Sequence, residues 1–402
     1  MTFFVTLDDK KECVGVYSDG ELHFGDTPQR LTHTWKPTLS LDSISAAEAE
    51  FAYIYAQGSS LDELCPPELK SEWDAIIKRM SAYRNSFQEA KVNLGENCVF
   101  DLIPLQYLTQ YCFLKTEIIK HVFKTVEKPE NYDFMKGLVS LLTEIEGRKI
   151  KLNLASLERK LHIKRARDFA NDLRKGKKYD FVSYDAFKTK TGRLSVKKNS
   201  FPILNLDKEF RCVVEPTNDW ILELDYNAAE LRTLLALAGK EQPIEDIHQW
   251  NSNILGVSRE EAKKSVISWL YGSKTSDIGE KLSQMYAREE VLNKHYDPEK
   301  QVVTTPFGRK LEASEHHAMN YLVQSTTADL VFDRMLAIRD LLKGKKSFIK
   351  FCLHDSVVID LAHDERAEIK EIFKIFADTK LGNFKASCAA GKNFGTLKDF
   401  NI

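Results

Sequence analysis

An apolar run followed by a helical pattern stands near the middle of the chain, from Trp220 to Gly239. The apolar residues predict a buried strand, and residues 227–238 predict a helix that Gly239 closes. Asp225 stands where the strand ends. A strand end fixes a carboxylate while the turn leaves it open, which suits a metal ligand. The alternative is an aspartate that merely begins a turn.

A second pattern runs from Ser347 to Leu361, where two apolar stretches bracket His354-Asp355-Ser356. This arrangement predicts a tight hairpin that exposes Asp355 at its tip. A hairpin tip beside another strand end can bring two aspartates together. Two such carboxylates, spaced to bridge a pair of magnesium ions, suit in-line phosphoryl or nucleotidyl transfer. An ordinary Asp-Ser turn is the alternative.

A third pattern recurs every four residues and therefore marks one face of a helix that ends at Gly272. Its members are Arg259, Lys263, Ile267 and Tyr271. The two cations can bind phosphates while the lower turns meet sugar and base. The alternative is a solvated basic face with Ile267 and Tyr271 in the core.

The rest of the chain predicts a mixture of strands and helices. Residues 3–24 resemble short strands with a Ser-Asp-Gly turn, and two or three helices follow between Glu68 and Thr125. A further helix ends at Gly147, and a helix-rich block extends from Glu245 to Lys294. There is no internal repeat.

The composition of the whole chain indicates no partner, but one segment has an uneven charge. The 402 residues include 58 Lys and Arg against 59 Asp and Glu, so the global charge names no partner. Basic residues dominate between Arg148 and Lys198, as a phosphate backbone would require, although a solvated helix face is the alternative. The seven cysteines form no CxxC pair, and no apolar run is long enough to span a bilayer. We expect a soluble intracellular protein, cytoplasmic in location, with no membrane partner.

Taken in order, these motifs resemble a known family. DYNAAELR (225–232), the helix from Arg259 to Tyr271, and HDS (354–356) resemble motifs A, B and C of the family A (polymerase I-like) DNA polymerases. Four further stretches are similar to the family: TGRLS (191–195), Asp246-Ile247-His248, PFGRKL (306–311) and NYLVQSTTADL (320–330). The resemblance spans roughly Glu144 to Leu361, and several ordered motifs make chance a poor explanation.

The resemblance implies an α+β fold in the shape of a right hand, with an antiparallel palm, helical fingers and a reduced thumb. An α/β N-terminal block would resemble a degenerate exonuclease domain. The implied segments are 1–130 (N-terminal block), 131–200 (thumb and start of palm), 201–242 (palm with motif A), 243–300 (fingers with motif B) and 301–402 (palm with motif C).

The resemblance also implies template-directed extension of a primer 3′-hydroxyl with dNTPs. Two Mg²⁺ ions would serve as cofactors, with Mn²⁺ able to substitute, and primer-template DNA would be the partner. A compact chain of this kind suits a virus, working in the host cytoplasm in DNA replication. A processivity factor, or a separate exonuclease or helicase, would complement it.

Roles follow residue by residue from the resemblance. Glu230 would lie under the sugar and exclude a 2′-hydroxyl, although its spacing from Asn227 also fits a capping box. The implied metal ligands are Asp225, Asp355 and the backbone of Tyr226, with Asp225, Asp355 and Lys263 catalytic. The implied nucleotide-binding residues are Arg259, Lys263, His248, Ile267, Tyr271 and Glu230. The implied DNA contacts are Arg193, Arg309, Asn320, Gln324 and His354.

Two positions depart from the family pattern. Ser356 stands where motif C usually has a glutamate, and Ile267 stands where motif B normally has an aromatic residue. We expect Ile267 to weaken incorporation of dideoxynucleotides, and equal use of dideoxy and ordinary nucleotides would contradict this. Motifs B and C also resemble the single-subunit phage-type RNA polymerases, so an RNA polymerase or primase-like enzyme is one alternative. A non-catalytic nucleic-acid-binding protein and a metal nuclease are the others. Glu230 favours DNA synthesis.

The length of one segment and the residues at particular N-terminal positions predict processivity and proofreading. The segment from Leu154 to Lys190, where the family builds long thumb helices, is short, which predicts low processivity or a partner acting as a clamp. The first strand carries no Asp-x-Glu pair, and Lys115 stands where the exonuclease would carry an aspartate. A protonated lysine cannot ligate a divalent cation, so we expect no proofreading.

Overall fold

The computed structural model describes residues 1–10, 12–39, 48–174, 180–198, 200–271 and 277–400. The chain divides into two compact units, Met1–Gly147 and Arg148–Ile402. The predicted helix end at Gly272 lies outside the described residues, as do Lys175, Lys177 and Lys178 of the basic segment. The five predicted segments are a finer division, and they stay a prediction.

The first unit combines a small sheet with helices. Strands β1, β2 and β3 form an antiparallel sheet, whose second turn has Asp19 and Gly20 at positive φ, as the Ser-Asp-Gly sequence predicted. The strands are β1 (Phe4–Asp9), β2 (Glu12–Ser18), β3 (Glu21–His23) and the parallel pair β4 (His33–Thr34) and β5 (Glu50–Phe51). The helices are α1 (Ala52–Tyr55), α2 (Pro67–Glu89), α3 (Leu105–Thr125) and α4 (Tyr132–Gly147), with a 3-10 helix at Val99–Leu102.

The second unit is built on one antiparallel five-stranded sheet. Its strands are β10 (Trp220–Tyr226), β14 (Phe348–Leu353), β15 (Ser356–Leu361), β18 (Ala386–Gly391) and β19 (Lys398–Asp399), in the order β14-β15-β10-β18-β19. Strand β10 lies between β15 and β18, so both of its backbone edges are paired, and its apolar side chains Ile221, Leu222 and Leu224 are buried in the core.

Short strands complete the second unit. They are β6 (Lys151–Leu152), β7 (Tyr184–Asp185), β8 (Ser195–Val196), β9 (Val214–Glu215), β11 (Tyr296–Asp297), β12 (Val302–Thr304), β13 (Lys310–Glu312), β16 (Asp378–Thr379) and β17 (Gly382–Asn383). The 3-10 helices lie at Leu154–Lys160, Ile203–Asn205, Lys208–Val213 and His363–Glu368.

Helices pack around this sheet and beside it. They are α5 (Lys164–Arg174), α6 (Ala229–Leu237), α7 (Ile247–Leu255), α8 (Arg259–Leu270), α9 (Asp277–Met285), α10 (Arg288–His295), α11 (Glu315–Leu341) and α12 (Ile369–Ala377). The predicted helix-rich block is thus confirmed in α7 to α10. Helix α11 is buried along most of its length and joins the core of that block. No helix in the described ranges is long and apolar enough to cross a membrane.

Candidate active site

Asp225 and Asp355 meet because two neighbouring strands present them at the same edge. In the β10–β15 pairing Asp225 lies opposite Ser356, the residue that follows Asp355. The tight hairpin predicted for HDS is present, and His354 turns it with a φ of 57°. Partial loss of hydration, followed by the charges of Asp355 and Glu223, raises the pKa of Asp225 to about 7. Burial also raises the pKa of Asp355.

Glu223 is a third carboxylate at this edge that the sequence analysis missed. Side chains two residues apart on a strand share a face, so Glu223 and Asp225 point the same way. The hydroxyl of Ser356 donates a hydrogen bond to Glu223 Oε1 at 3.2 Å. Lys208 is a cation near both carboxylates. The period of two along β10 was the available signal, although the surrounding apolar residues obscured it.

The opposite face of β10 is braced by helix α12. Tyr226 is buried and its ring stacks on Phe376, with centroids 4.0 Å apart. The Tyr226 hydroxyl donates to the Phe376 carbonyl at 2.6 Å. Because its side chain is held below the sheet, Tyr226 can present only backbone atoms to the carboxylate edge. The role of its backbone as a metal ligand stays a prediction.

Glu230 pairs with Arg193 rather than capping a helix. Arg193 Nη2 donates to Glu230 Oε1, and Glu230 also interacts with the Tyr271 hydroxyl. Helix α6 begins after Ala228, which has a φ of 51°, and no side chain caps it. The capping-box alternative for Glu230 is therefore wrong. Burial raises the pKa of Glu230, and the Arg193 charge opposes that rise.

Several predicted residues surround one small cavity. Its volume is about 100 Å³, and it opens between helix α11, the HDS turn and the start of α6. Its lining residues are Arg193, Glu230, Thr327, Ala328, Val331, His354 and Asp355. Glu230, Asp355 and the two predicted DNA contacts Arg193 and His354 thus line one cavity. Their individual roles stay predictions.

The four residues of the motif B pattern all lie on an exposed face of α8 and its C-cap. Ile267 is 41% exposed and Tyr271 is 46% exposed. Arg259 and Lys263 are also exposed. The alternative that placed Ile267 and Tyr271 in the core is therefore wrong. An apolar residue and a tyrosine open to solvent beside two cations form a surface that a nucleotide could cover.

Tyr271 connects this face to helix α11. Gln324 Nε2 donates to the Tyr271 hydroxyl at 3.2 Å and to Asn320 Oδ1 at 2.6 Å. Together with the interaction between Glu230 and Tyr271, these bonds link the predicted sugar, base and minor-groove contacts into one network. Arg193 joins the same network through Glu230.

Arg259 is held by Asp246, the residue before helix α7. Its Nε lies 3.1 Å from Asp246 Oδ1 and its Nη2 lies 3.2 Å from Oδ2. Partial burial opposes ionisation of Asp246, but hydrogen bonds from Arg259, the Gln249 amide and the Asn227 side chain, with the charge of Arg259, lower its pKa. His248, two residues after Asp246, is buried, and burial lowers its pKa. The charges of Lys263 and Arg259 lower the pKa of His248 further, while that of Asp246 raises it.

Arg309 lies inside the protein rather than on a DNA-facing surface. Its Nε and Nη2 bind the two carboxylate oxygens of Asp329 at 3.0 and 2.6 Å. The side chain is 12% exposed and that of Asp329 is 1% exposed. The guanidinium packs under Gly192, where an added Cβ would approach Arg309 Cζ to 2.6 Å. Arg309 therefore supports the TGRLS turn, and the prediction of a direct DNA contact does not match this placement.

Within the part of the chain that the structure describes, no three His, Cys, Asp or Glu side chains group so as to hold a metal ion. The carboxylate edge offers hard oxygen donors from Asp225 and Asp355, which are the donors that Mg²⁺ prefers. Burial raises the pKa of Asp225 and the charge of Asp355 adds to that rise, and a bound divalent cation would favour the ionised carboxylates. The two residues therefore fit a magnesium site that takes its remaining ligands from backbone and substrate.

Comparison with known proteins supports this architecture. No protein-family model matches the chain. The DNA polymerase of Mycobacterium phage L5 is 25% identical over 181 residues, which cover 39% of this chain. The aligned part spans only 30% of that polymerase. The POL domain of Pol1 from M. smegmatis, solved in complex with DNA primer-template and dNTP, superposes with a TM-score of 0.65 at 13% identity, covering 98% of this chain and 95% of that one. The chain thus has the fold of a polymerase POL domain, and the resemblance predicted from its motifs is confirmed.

Proposed function

We propose that this protein is a template-directed DNA polymerase that extends a primer 3′-hydroxyl with dNTPs. The observation that carries the proposal is one continuous site. Asp225 and Asp355 meet at a sheet edge, and the Arg193–Glu230–Tyr271 contacts connect that edge to the exposed face of α8. The similarity to a phage DNA polymerase supports the same activity.

The hand-shaped layout is part of this proposal. The five-stranded sheet would be the palm, helices α7 to α10 the fingers, and the segment containing α5 a reduced thumb. The first unit would be an exonuclease-like domain without proofreading, because Lys115 occupies the place of a carboxylate. Metal-dependent removal of a mismatched 3′ end by the pure protein would contradict this. Long products from a single binding event would contradict low processivity.

In the proposed reaction the primer 3′-oxygen attacks the α-phosphorus of the dNTP, and the bond to the β-phosphate bridging oxygen breaks. Pyrophosphate leaves, and the hydroxyl proton is lost to solvent or a nearby base. Arg259 and Lys263 would bind the triphosphate, since their exposed cations lie one helical turn apart. Such transfer depends mainly on positioning and charge neutralisation.

Two Mg²⁺ ions, with Mn²⁺ able to substitute, would be held by Asp225, Asp355 and the Tyr226 carbonyl. When bound, they would lower the pKa of the attacking hydroxyl and neutralise charge on the phosphates. The residues of this chain would hold the reactants in place. Asn320 and Gln324 would contact the minor groove, and His354 would lie by the primer end.

Primer extension on a short DNA template tests the proposal directly. Deoxy- and ribonucleotides are compared in the wild type, in Glu230→Ala and in Asp355→Asn. We expect strong deoxynucleotide preference that relaxes in Glu230→Ala, because removing its side chain opens room for a 2′-hydroxyl. Asp355→Asn should be inactive.

The other outcomes separate the alternatives. Ribonucleotide preference in the wild type would favour an RNA polymerase or primase-like enzyme. Cleavage of DNA without nucleotides would indicate a nuclease. An Asp355→Asn protein equal to the wild type in every assay would indicate a non-catalytic binding protein.

A further inference from the structure

Asp246 connects three parts of the second unit. Its Oδ1 accepts a hydrogen bond from the Gln249 amide at 2.9 Å, so it caps helix α7. Both of its oxygens also bind Arg259, on the edge formed by Nε and Nη2. Two parallel bonds fix the plane of a guanidinium as well as its position. In the described part of the chain no group pairs with Arg259 Nη1, so that corner stays available to a ligand.

A second set of bonds ties Asp246 to the end of strand β10. Asn227, two residues after Asp225, donates from Nδ2 to Asp246 Oδ2 at 3.3 Å. Its Oδ1 accepts from the Ile247 amide at 3.4 Å and from Arg232 Nη2 at 3.1 Å. The carboxylate that holds the arginine of α8 is therefore bonded to the strand that carries Asp225.

Arg232 binds the loop that connects helix α6 to helix α7. It is fully buried and donates to three backbone carbonyls, those of Asn227, Pro243 and Glu245, at 2.8, 3.0 and 3.1 Å. A buried guanidinium is stable only when its donors are satisfied, so the loop from 242 to 246 has little freedom to move. Asp246 thus stands on a rigid support.

We propose that Asp246 is a positioning residue of the nucleotide site, acting through Arg259. It fixes the guanidinium with its free corner available to the triphosphate, and the contact with Asn227 sets that corner at a constant distance from Asp225. An exposed arginine held in this way loses less side-chain entropy when it binds phosphate. This role rests on the proposed polymerase function and assigns a further residue to it.

A double-mutant cycle tests the role. KM and kcat for a dNTP are measured at saturating primer-template for the wild type, Asp246→Asn, Arg259→Ala and the double variant. Asparagine is as good a helix cap as aspartate, so Asp246→Asn should leave α7 intact while removing the charge. We expect KM to rise about tenfold with kcat changed less than about threefold. The double variant should match Arg259→Ala alone, because Asp246 acts through that residue.

Two further variants sharpen the result. Asp246→Glu keeps the charge and should restore part of the affinity. Asp297→Asn is the matched control, because Asp297 in strand β11 is another partly exposed carboxylate of the second unit that pairs with a cation, Lys300 at 3.2 Å. Its KM should stay near the wild-type value.

An unchanged or lowered KM in Asp246→Asn would overturn the inference, since a lowered KM would mean that Asp246 competes with the triphosphate. Effects of the two substitutions that multiply in the double variant would also overturn it. If the wild type extends no primer, the proposed function fails. Equilibrium binding of a dNTP to the wild type and to Asp246→Asn would then still decide the role of Asp246.

Discussion

Asp225 and Asp360 lie on neighbouring strands of one sheet but differ in how their charge is compensated. Asp360 is fully buried, and Lys350 Nζ lies 2.8 Å from its Oδ2. The amides of Thr217 and Asn218 donate to the same carboxylate at 2.6 and 2.8 Å. Asp225 has Asp355 and Glu223 as its strongest charged neighbours, Lys208 opposes them more weakly, and no cation of the described residues lies within ion-pair distance of it.

The difference separates a structural carboxylate from a functional one. A buried charge that serves the fold is paired and hydrogen-bonded, because leaving it bare is costly. Like charges brought together without a partner weaken the fold, and proteins accept that where a ligand will complete the site. The comparison predicts opposite effects for substitutions at the two ends of the sheet.

The largest effect is expected at the uncompensated end. Asp225→Asn should lower the rate of primer extension by about 1,000-fold or more, because the charge that holds the cation is lost. The thermal midpoint should stay the same or rise, since repulsion from Asp355 and Glu223 disappears. Extension assays and calorimetry on the same preparation measure both. A large fall in midpoint would show that Asp225 is structural.

At the compensated end we expect a loss of stability. Lys350→Met removes the cation but leaves Asp360 buried, which should lower the free energy of unfolding by about 3–5 kcal/mol. Denaturant titration measures this. Lys346→Met is the matched control, because its ion pair with Asp364 is solvent-exposed on both sides and should contribute little. Equal effects of the two substitutions would contradict the distinction.

A smaller effect is expected for Glu223. Like Asp225 it has a carboxylate neighbour, but like Asp360 it accepts a hydrogen bond, from Ser356. Glu223→Gln removes one negative charge near Asp225 but keeps an acceptor for Ser356. We expect the Mg²⁺ concentration for half-maximal extension to rise about fivefold, as loss of a nearby charge worth about 1 kcal/mol would give. Ser356→Ala should change it less. An unchanged Mg²⁺ requirement in Glu223→Gln would show that its charge has no part in cation binding.

The smallest effect is expected on the thermal midpoint when Mg²⁺ is added. Mg²⁺ well above its dissociation constant should raise the thermal midpoint of the wild type by about 1–2 °C, because it binds only the folded carboxylate pair. Asp225→Asn should show no rise, and Lys350→Met should show the same rise from a lower starting point. A rise that persists in Asp225→Asn would place the ion elsewhere.

The parts of this site that the sequence predicted are local. Asp225 at a strand end and Asp355 at a hairpin tip follow from apolar runs and a turn, whose signals lie within a few residues. The exposed face of α8 follows from a period of four. In each case neighbouring residues contain the information.

The parts that the sequence did not reveal depend on distant partners. Nothing near Arg309 in the sequence indicates its partner, because Asp329, which binds it, lies 20 residues later in the chain. Glu230 has the spacing of a capping box, but Arg193, 37 residues earlier, binds it instead. Glu223 was hidden in an apolar run because its partner, Ser356, lies on another strand. Such contacts follow from topology and have no periodic signature along the chain.

The order of strands in the central sheet has a consequence for how the protein is made. Strand β10 pairs on one side with β15 and on the other with β18, whose residues follow it by more than 100 positions. A ribosome adds roughly 5–20 residues per second, so β10 emerges several seconds before either neighbour exists. During that interval its apolar edges have no native partner, and long-range pairing of this kind closes slowly. The nascent chain must therefore keep the apolar residues of β10 from aggregating until the aspartates can meet.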